Sequence, residues 1–199
     1  MSKTPKTSTY HNVSRTRTLL NTIALDIGAE HIPFATPADS LAKNIALTSQ
    51  WDNYPDSVVV PLYGHAKHAY YLLAGSTNPM QTRLVNGALQ VHYKDGSIDT
   101  LALVNPQNWW PIEQDYFIDG VGFTTGAPRP LRVQLKTGKV YSTAIDYTSI
   151  KGFTNMAIDG GAATVLDMPL DPNKELESVR LYTFANDVVI GLMSVTLTR

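Results

Sequence analysis

The chain has 199 residues, of which 43% are hydrophobic and 17% charged, with a formal net charge of −1 and no cysteine. A chain of this length hides roughly 70% of its unfolded surface on folding and so supports a sizeable core. The near-neutral balance argues against the concentrated basic face that nucleic acid or an anionic membrane requires, and the missing cysteines exclude disulfides, thiol nucleophiles and zinc–thiolate sites.

Residues 1–18 scatter Lys3, Lys6, Arg15 and Arg17 among threonines and serines without periodicity, which predicts a polar tail or linker ahead of a domain over residues 19–199. This opening has no apolar core and does not read as a signal peptide. Apolar runs such as Val188 to Val195 are too short to span a bilayer as a helix. Asn21 to Ile27 is the first strand-like stretch, Pro33 and Pro37 mark a loop, and Ser40 to Asn44 offers a helical turn at most. After the irregular Trp51-Asp52-Asn53-Tyr54-Pro55 segment, Val58, Val60 and Leu62 alternate, and Ala69 to Leu73 is aromatic and aliphatic throughout.

Gly75 to Pro79 and Asn86-Gly87 read as turns. Leu89, Val91 and Tyr93 alternate up to Asp95-Gly96, and Ile98 to Leu103 runs back, which predicts a two-residue hairpin with Gly96 at positive φ. Residues 104–130 are rich in proline and glycine and form the longest irregular region, a length that marks functional or disordered loops. Leu131, Val133 and Leu135 alternate again, Thr137-Gly138 turns, and Val140 to Ile145 returns. Ala162 to Met168 and Leu176 to Phe184 flank a turn at Asp171-Pro172-Asn173. Val188 to Leu197, apolar on both faces, reads as a strand in the middle of a sheet. Roughly ten strands at this spacing predict an all-β, two-sheet antiparallel sandwich of the jelly-roll type.

The chemistry-bearing residues gather in the long loop, where Trp109-Trp110 is followed by Glu113, Asp115 and Asp119 and preceded by Asn108. Adjacent side chains on an extended backbone face opposite ways. One indole is therefore expected to cover a core edge and the other to remain open to a ligand. Aromatic rings receive the C–H faces of sugars while carboxylates and amides pair with their hydroxyls, so Trp109, Trp110, Glu113, Asp115 and Asn108 form a candidate carbohydrate site. The alternative is that both tryptophans cover the sandwich. Trp51 and Tyr54, beside Asp52 and Asn53, form a second aromatic cluster of the same two readings. His65, His68 and His92 suggest a transition metal, but positions three apart on a strand face opposite sides. Asp119-Gly120 and Asp159-Gly160 are weak calcium candidates that are first of all turn chemistry, and no other cofactor is indicated. Glu113 and Asp115 could serve as a glycosidase pair, yet no nucleophile elbow, phosphate loop or zinc-protease motif occurs. A non-catalytic protein is the expectation.

Several segments then fall into a pattern: Asn44 to Pro55, Val60 to Gly64, Ala74 to Asn78, Asn105-Pro106 with Trp109, Asp171 to Leu176, and Asn186 to Leu192. Together they resemble a β-sandwich domain of large bacterial proteins related to six-hairpin glycosidases, and the likeness runs from about Ile23 to Leu197. The topology also resembles galactose-binding-like jelly rolls, which often serve as carbohydrate-binding modules. The resemblance implies a periplasmic or secreted polysaccharide-processing context, with a helical catalytic domain elsewhere in the parent protein. It implies carbohydrate, and that catalytic domain, as partners. On this basis the chain is expected to be a non-catalytic, carbohydrate-associated module. The alternatives are a structural module that packs against a glycoside hydrolase domain without a ligand of its own, and a stand-alone glycosidase or lyase.

Overall fold

The structure, a computed structural model, describes residues 22–27, 30–35, 43–77, 81–115, 130–141 and 158–199. Alternating side chains build its strands in chain order: β1 (Thr22–Ile27), β2 (Glu30–Ala35), β3 (Ala46–Ser49), β4 (Ser57–Pro61), β5 (His68–Ser76) and β6 (Val85–Tyr93). They continue with β7 (Ile98–Val104), β8 (Leu131–Gln134), β9 (Val140–Tyr141), β10 (Ala162–Pro169), β11 (Leu176–Thr183) and β12 (Val189–Thr198). One sheet runs β3-β12-β5-β10-β8-β9 and the other β4-β11-β6-β7, with every pair antiparallel. The orders β3-β12-β5-β10 and β4-β11-β6-β7 are those of two four-stranded sheets wound as a jelly roll. The short β8–β9 pair extends the first sheet beyond β10.

Two cores follow from this layering. Between the sheets lie Tyr71, Leu73, Leu89, Val91, Leu103, Trp109, Val179, Leu181 and Ile190. The other face of the larger sheet carries Tyr70, Leu72, Ala74, Val133, Ala163 and Val165, roofed by Ile32 and Phe34 of β2. Each of these large side chains contributes roughly 1.5–3 kcal/mol when fully buried. β5 is thus apolar on both faces because it has a core on each side, and β12 lies between β3 and β5 as its two-sided hydrophobicity predicts.

Three expectations are corrected. Pro33, read as a loop marker, lies in β2, which pairs with β1 in a separate two-stranded sheet. Proline is tolerated in an edge strand because one row of its backbone groups has no ladder partner. Here Pro33 is exposed while Ile32 and Phe34 on either side of it are buried, and the Thr196 hydroxyl donates to the Pro33 carbonyl. Asn86-Gly87, read as a turn, lies within β6 at a bulge against β7. The Asp95-Gly96 connection is a three-residue loop in which Tyr93 N donates to Ser97 O and Gly96 N to Tyr93 O, both at 3.0 Å. Gly96 does take positive φ, at 84°. The tail over residues 1–18, most of the expected turn at Ser40 to Asn44, and the continuation of β9 to Ile145 lie outside the described residues.

Two glycines separate two physical requirements. Gly96 has open space around its missing Cβ, so Gly96→Ala is expected to cost only the left-handed backbone penalty of about 1 kcal/mol. A Cβ on Gly75 would stand 2.0 Å from the Val189 carbonyl oxygen and 3.0 Å from the Trp109 ring. Gly75→Ala must therefore part β5 from β12, at about 3 kcal/mol or more. Urea titration of the two variants checks the ranking, and equal losses would contradict it.

Candidate functional site

The connection from β7 to β8 opens with a tight, polar-lined entry. Asn108 closes it by donating its amide to Ala102 O (2.8 Å) and accepting from Val104 N (2.9 Å). Beyond a cis Asn105–Pro106 bond the chain reaches Trp109 and Trp110, which are 0% and 2% exposed. The expectation that one indole faces solvent is therefore corrected. The two rings do have separate surroundings, but protein covers both. Trp109 enters the inter-sheet core, where its Nε1 donates to Asn86 Oδ1 at 2.9 Å. Trp110 donates to Pro106 O at 2.6 Å and lies under the Arg132 guanidinium, 5.9 Å from its ring centre.

Arg132 organises this region. It is 1% exposed, and its donors reach Asp115 Oδ1 (2.9 Å), Trp110 O (3.3 Å), Thr164 Oγ1 (2.6 Å), Pro111 O (2.6 Å) and Gln114 O (3.4 Å). A guanidinium has five N–H donors, and the loop with β10 offers an acceptor for each. Asp115 is thereby committed to a buried ion pair and is closed to a substrate, so Glu113 and Asp115 do not form an open carboxylate pair. Glu113 is largely buried with an unpartnered Oε2, and burial raises its carboxyl pKa.

The other candidates are dispersed. Trp51 and Tyr54 are half-buried, with ring centres 6.4 Å apart, in a loop tied to the end of β11 by Gln50 Nε2 to Thr183 O (2.5 Å) and Thr183 N to Asp56 O (3.0 Å). His68 turns to Asp167 at 2.8 Å, His65 is exposed, and His92 lies in the opposite sheet. Asp159 is exposed and paired with Lys136 at 2.5 Å, and Asp119 lies outside the described residues. Among the described residues no group of three or more His, Asp or Glu gathers as a metal site, and no helix is long and apolar enough to cross a membrane.

A surface that the sequence reading missed is the outer face of β4-β11-β6-β7. Val179, Leu181, Leu89 and Val91 point into the core, so their strand neighbours point away from it. The registers line these up as rows: Ser57–Tyr182–Ala88–Ala102, then Val59–Arg180–Gln90–Thr100, then Pro61–Ser178–His92–Ile98. At one end Tyr182 stacks on Phe184, with ring centres 5.9 Å apart and planes at 20°, and Phe184 is 53% exposed. The alternation Ser178, Arg180, Tyr182, Phe184 was the available signal.

Two stability experiments follow. Trp109→Ala and Trp110→Ala are each expected to cost about 3–5 kcal/mol in chemical denaturation, as for other large core aromatics; a loss below about 1 kcal/mol would show an exposed ring. A raised carboxyl pKa means that the folded state holds the Glu113 proton more tightly than the unfolded chain does. Its contribution is then most favourable at acid pH and is lost as pH rises through the carboxylate range. Glu113→Gln is expected to raise the melting temperature at about pH 7 and to lose that advantage below about pH 4. No family model, curated protein or solved structure matches the chain.

Proposed function

We propose that this chain is a non-catalytic, carbohydrate-associated sandwich of a polysaccharide-processing protein, and that glycan meets it on the outer face of β4-β11-β6-β7. The observation that carries this reading is the accessible Tyr182–Phe184 stack beside the row Arg180–Gln90–Thr100. Flat rings pack against the C–H faces of pyranose units and, once stacked on each other, lose little side-chain freedom when a ligand arrives. Arg180, Gln90, Thr100 and His92 supply donors and acceptors beside them. The half-buried Trp51 and Tyr54 lie in a loop hydrogen-bonded to the same end of β11.

A second reading has its own support. The Trp109–Trp110 loop is consumed by internal packing, and Val59, Leu84, Val85, Ile98 and Phe184 are large apolar side chains left about half exposed. Such residues suit an interdomain surface of a structural module packed on a catalytic domain.

Affinity electrophoresis across a panel of soluble polysaccharides separates the two. On the glycan reading, at least one polysaccharide retards the wild-type domain, and Tyr182→Ala and Phe184→Ala each abolish the retardation while moving the melting temperature by no more than a few degrees. Retardation by none of the panel, or retardation unchanged in both variants, rejects the sheet face as a glycan site and leaves the structural reading.

A further inference from the structure

Resting on the glycan reading of this face, we infer that its ligand is an acidic polysaccharide, with the Arg180 guanidinium receiving the carboxylate of a uronic acid unit. Arg180 stands in the central row of the face, directly opposite Val59 on β4 and Gln90 on β6, with Thr100 next beyond on β7. The row crosses three strand spacings, roughly 14 Å. Its Nε is shielded from solvent with no acceptor, and among the described residues no carboxylate stands within ion-pairing distance of it. His92 Nε2, on the diagonal position of the neighbouring strand, is likewise shielded and unpartnered. Diagonal neighbours in a sheet are within reach of long side chains.

The contrast with Arg132 is informative. The same side chain, where it serves the fold, has all its donors met by named acceptors. Arg180 leaves a shielded Nε unmet, a state that costs stability, and its guanidinium is not spent on an internal acceptor network as that of Arg132 is. The planar fork of a guanidinium matches the two oxygens of a carboxylate. Burial first, and the Arg180 charge second, hold the His92 imidazole below its ordinary pKa against the opposing pull of Glu177. His92 is then mostly neutral at pH 7, a hydrogen-bond partner for hydroxyls more than a second cation. Glu177, put out at the bulge of β11, is exposed near His92 and repels anions there. The carboxylate is thereby directed to the Tyr182 side of Arg180, where the ring of the same sugar unit finds the aromatic stack. One fixed cation on a chain of net charge −1 does not suit a polyphosphate backbone.

The test uses matched probes: polygalacturonate, the same polymer with its carboxyls reduced to alcohols, and dextran sulfate with plain dextran, each in affinity gels at low and high salt. Wild type is expected to bind polygalacturonate about tenfold to a hundredfold more tightly than the reduced polymer, the scale of a charge-assisted pair, with the preference shrinking in high salt. Arg180→Gln should erase the preference while leaving the melting temperature and any binding of the reduced polymer unchanged. Arg180→Lys, which keeps the charge without the fork, should retain part of it. Equal binding of the two polymers by wild type, or a full preference surviving in Arg180→Gln, overturns the carboxylate assignment while the glycan reading stands. A preference for dextran sulfate without one for polygalacturonate overturns it in favour of a sulfate ester. Binding to no polymer, in these gels and across the wider panel, removes both readings together.

Discussion

A single buried guanidinium holds residues 110–115, in the described first part of the β7–β8 connection, to the sandwich. Arg132 lies at 1% exposure with five acceptors around it and an indole beneath it. Taking a charge out of water costs several kcal/mol, which is recovered only when every donor is satisfied and a counter-charge is near. Those conditions fix the segment 110–115: the carbonyls of Trp110, Pro111 and Gln114 and the carboxylate of Asp115 must all converge on one point. With Trp110 so placed, Trp109 is delivered into the inter-sheet core, and Ile112 N reaches Gly75 O (2.7 Å) while Ala162 N reaches Ile112 O (2.8 Å). The loop thereby stitches the end of β5 to the start of β10.

Trp109 and Trp110 are spent on architecture, buried at 0% and 2% exposure. Asn86 illustrates the same economy. It is fully buried, gives its amide to Gln81 O (2.9 Å) and Leu84 O (3.1 Å), and receives Thr77 Oγ1 (3.1 Å) and Trp109 Nε1 (2.9 Å). Every polar capacity of that side chain is used, which is what a buried amide requires. By that standard the outer face of the four-stranded sheet is conspicuous, since it keeps polar atoms that the fold does not use.

The sandwich was legible in the sequence wherever one periodicity ruled. The β6–β7 hairpin and the two-faced apolar run of β12 follow directly from spacing, because side chains in a strand alternate whatever their tertiary surroundings. Legibility failed where tertiary context reversed a local signal. Pro33 suggests a break until an edge strand without a ladder on one side accommodates it. Asn86-Gly87 has turn chemistry, yet a bulge uses the asparagine as a buried connector. Arg132, between Leu131 and Val133, looks like an ordinary outward-facing charge. Nothing local discloses that Asp115, seventeen positions earlier, turns back to meet it. The same blindness applies to the tryptophans: adjacent indoles suggested one exposed ring, because a single sequence does not show that protein covers both of them.

The double-sided burial of β5 has a bearing on how the chain finds its register. Sliding most half-buried strands by one residue turns apolar side chains to water, and the error is penalised by polarity alone. β5 lacks that safeguard, since Ala69, Tyr71 and Leu73 serve one core and Tyr70, Leu72 and Ala74 the other. A slip would exchange one greasy face for another. What discriminates is shape: only a residue without a side chain fits against the Val189 carbonyl, and a shift by one would bring Ala74 or Ser76 to that contact. The proofreading of this central strand is steric, vested in one absent methyl group.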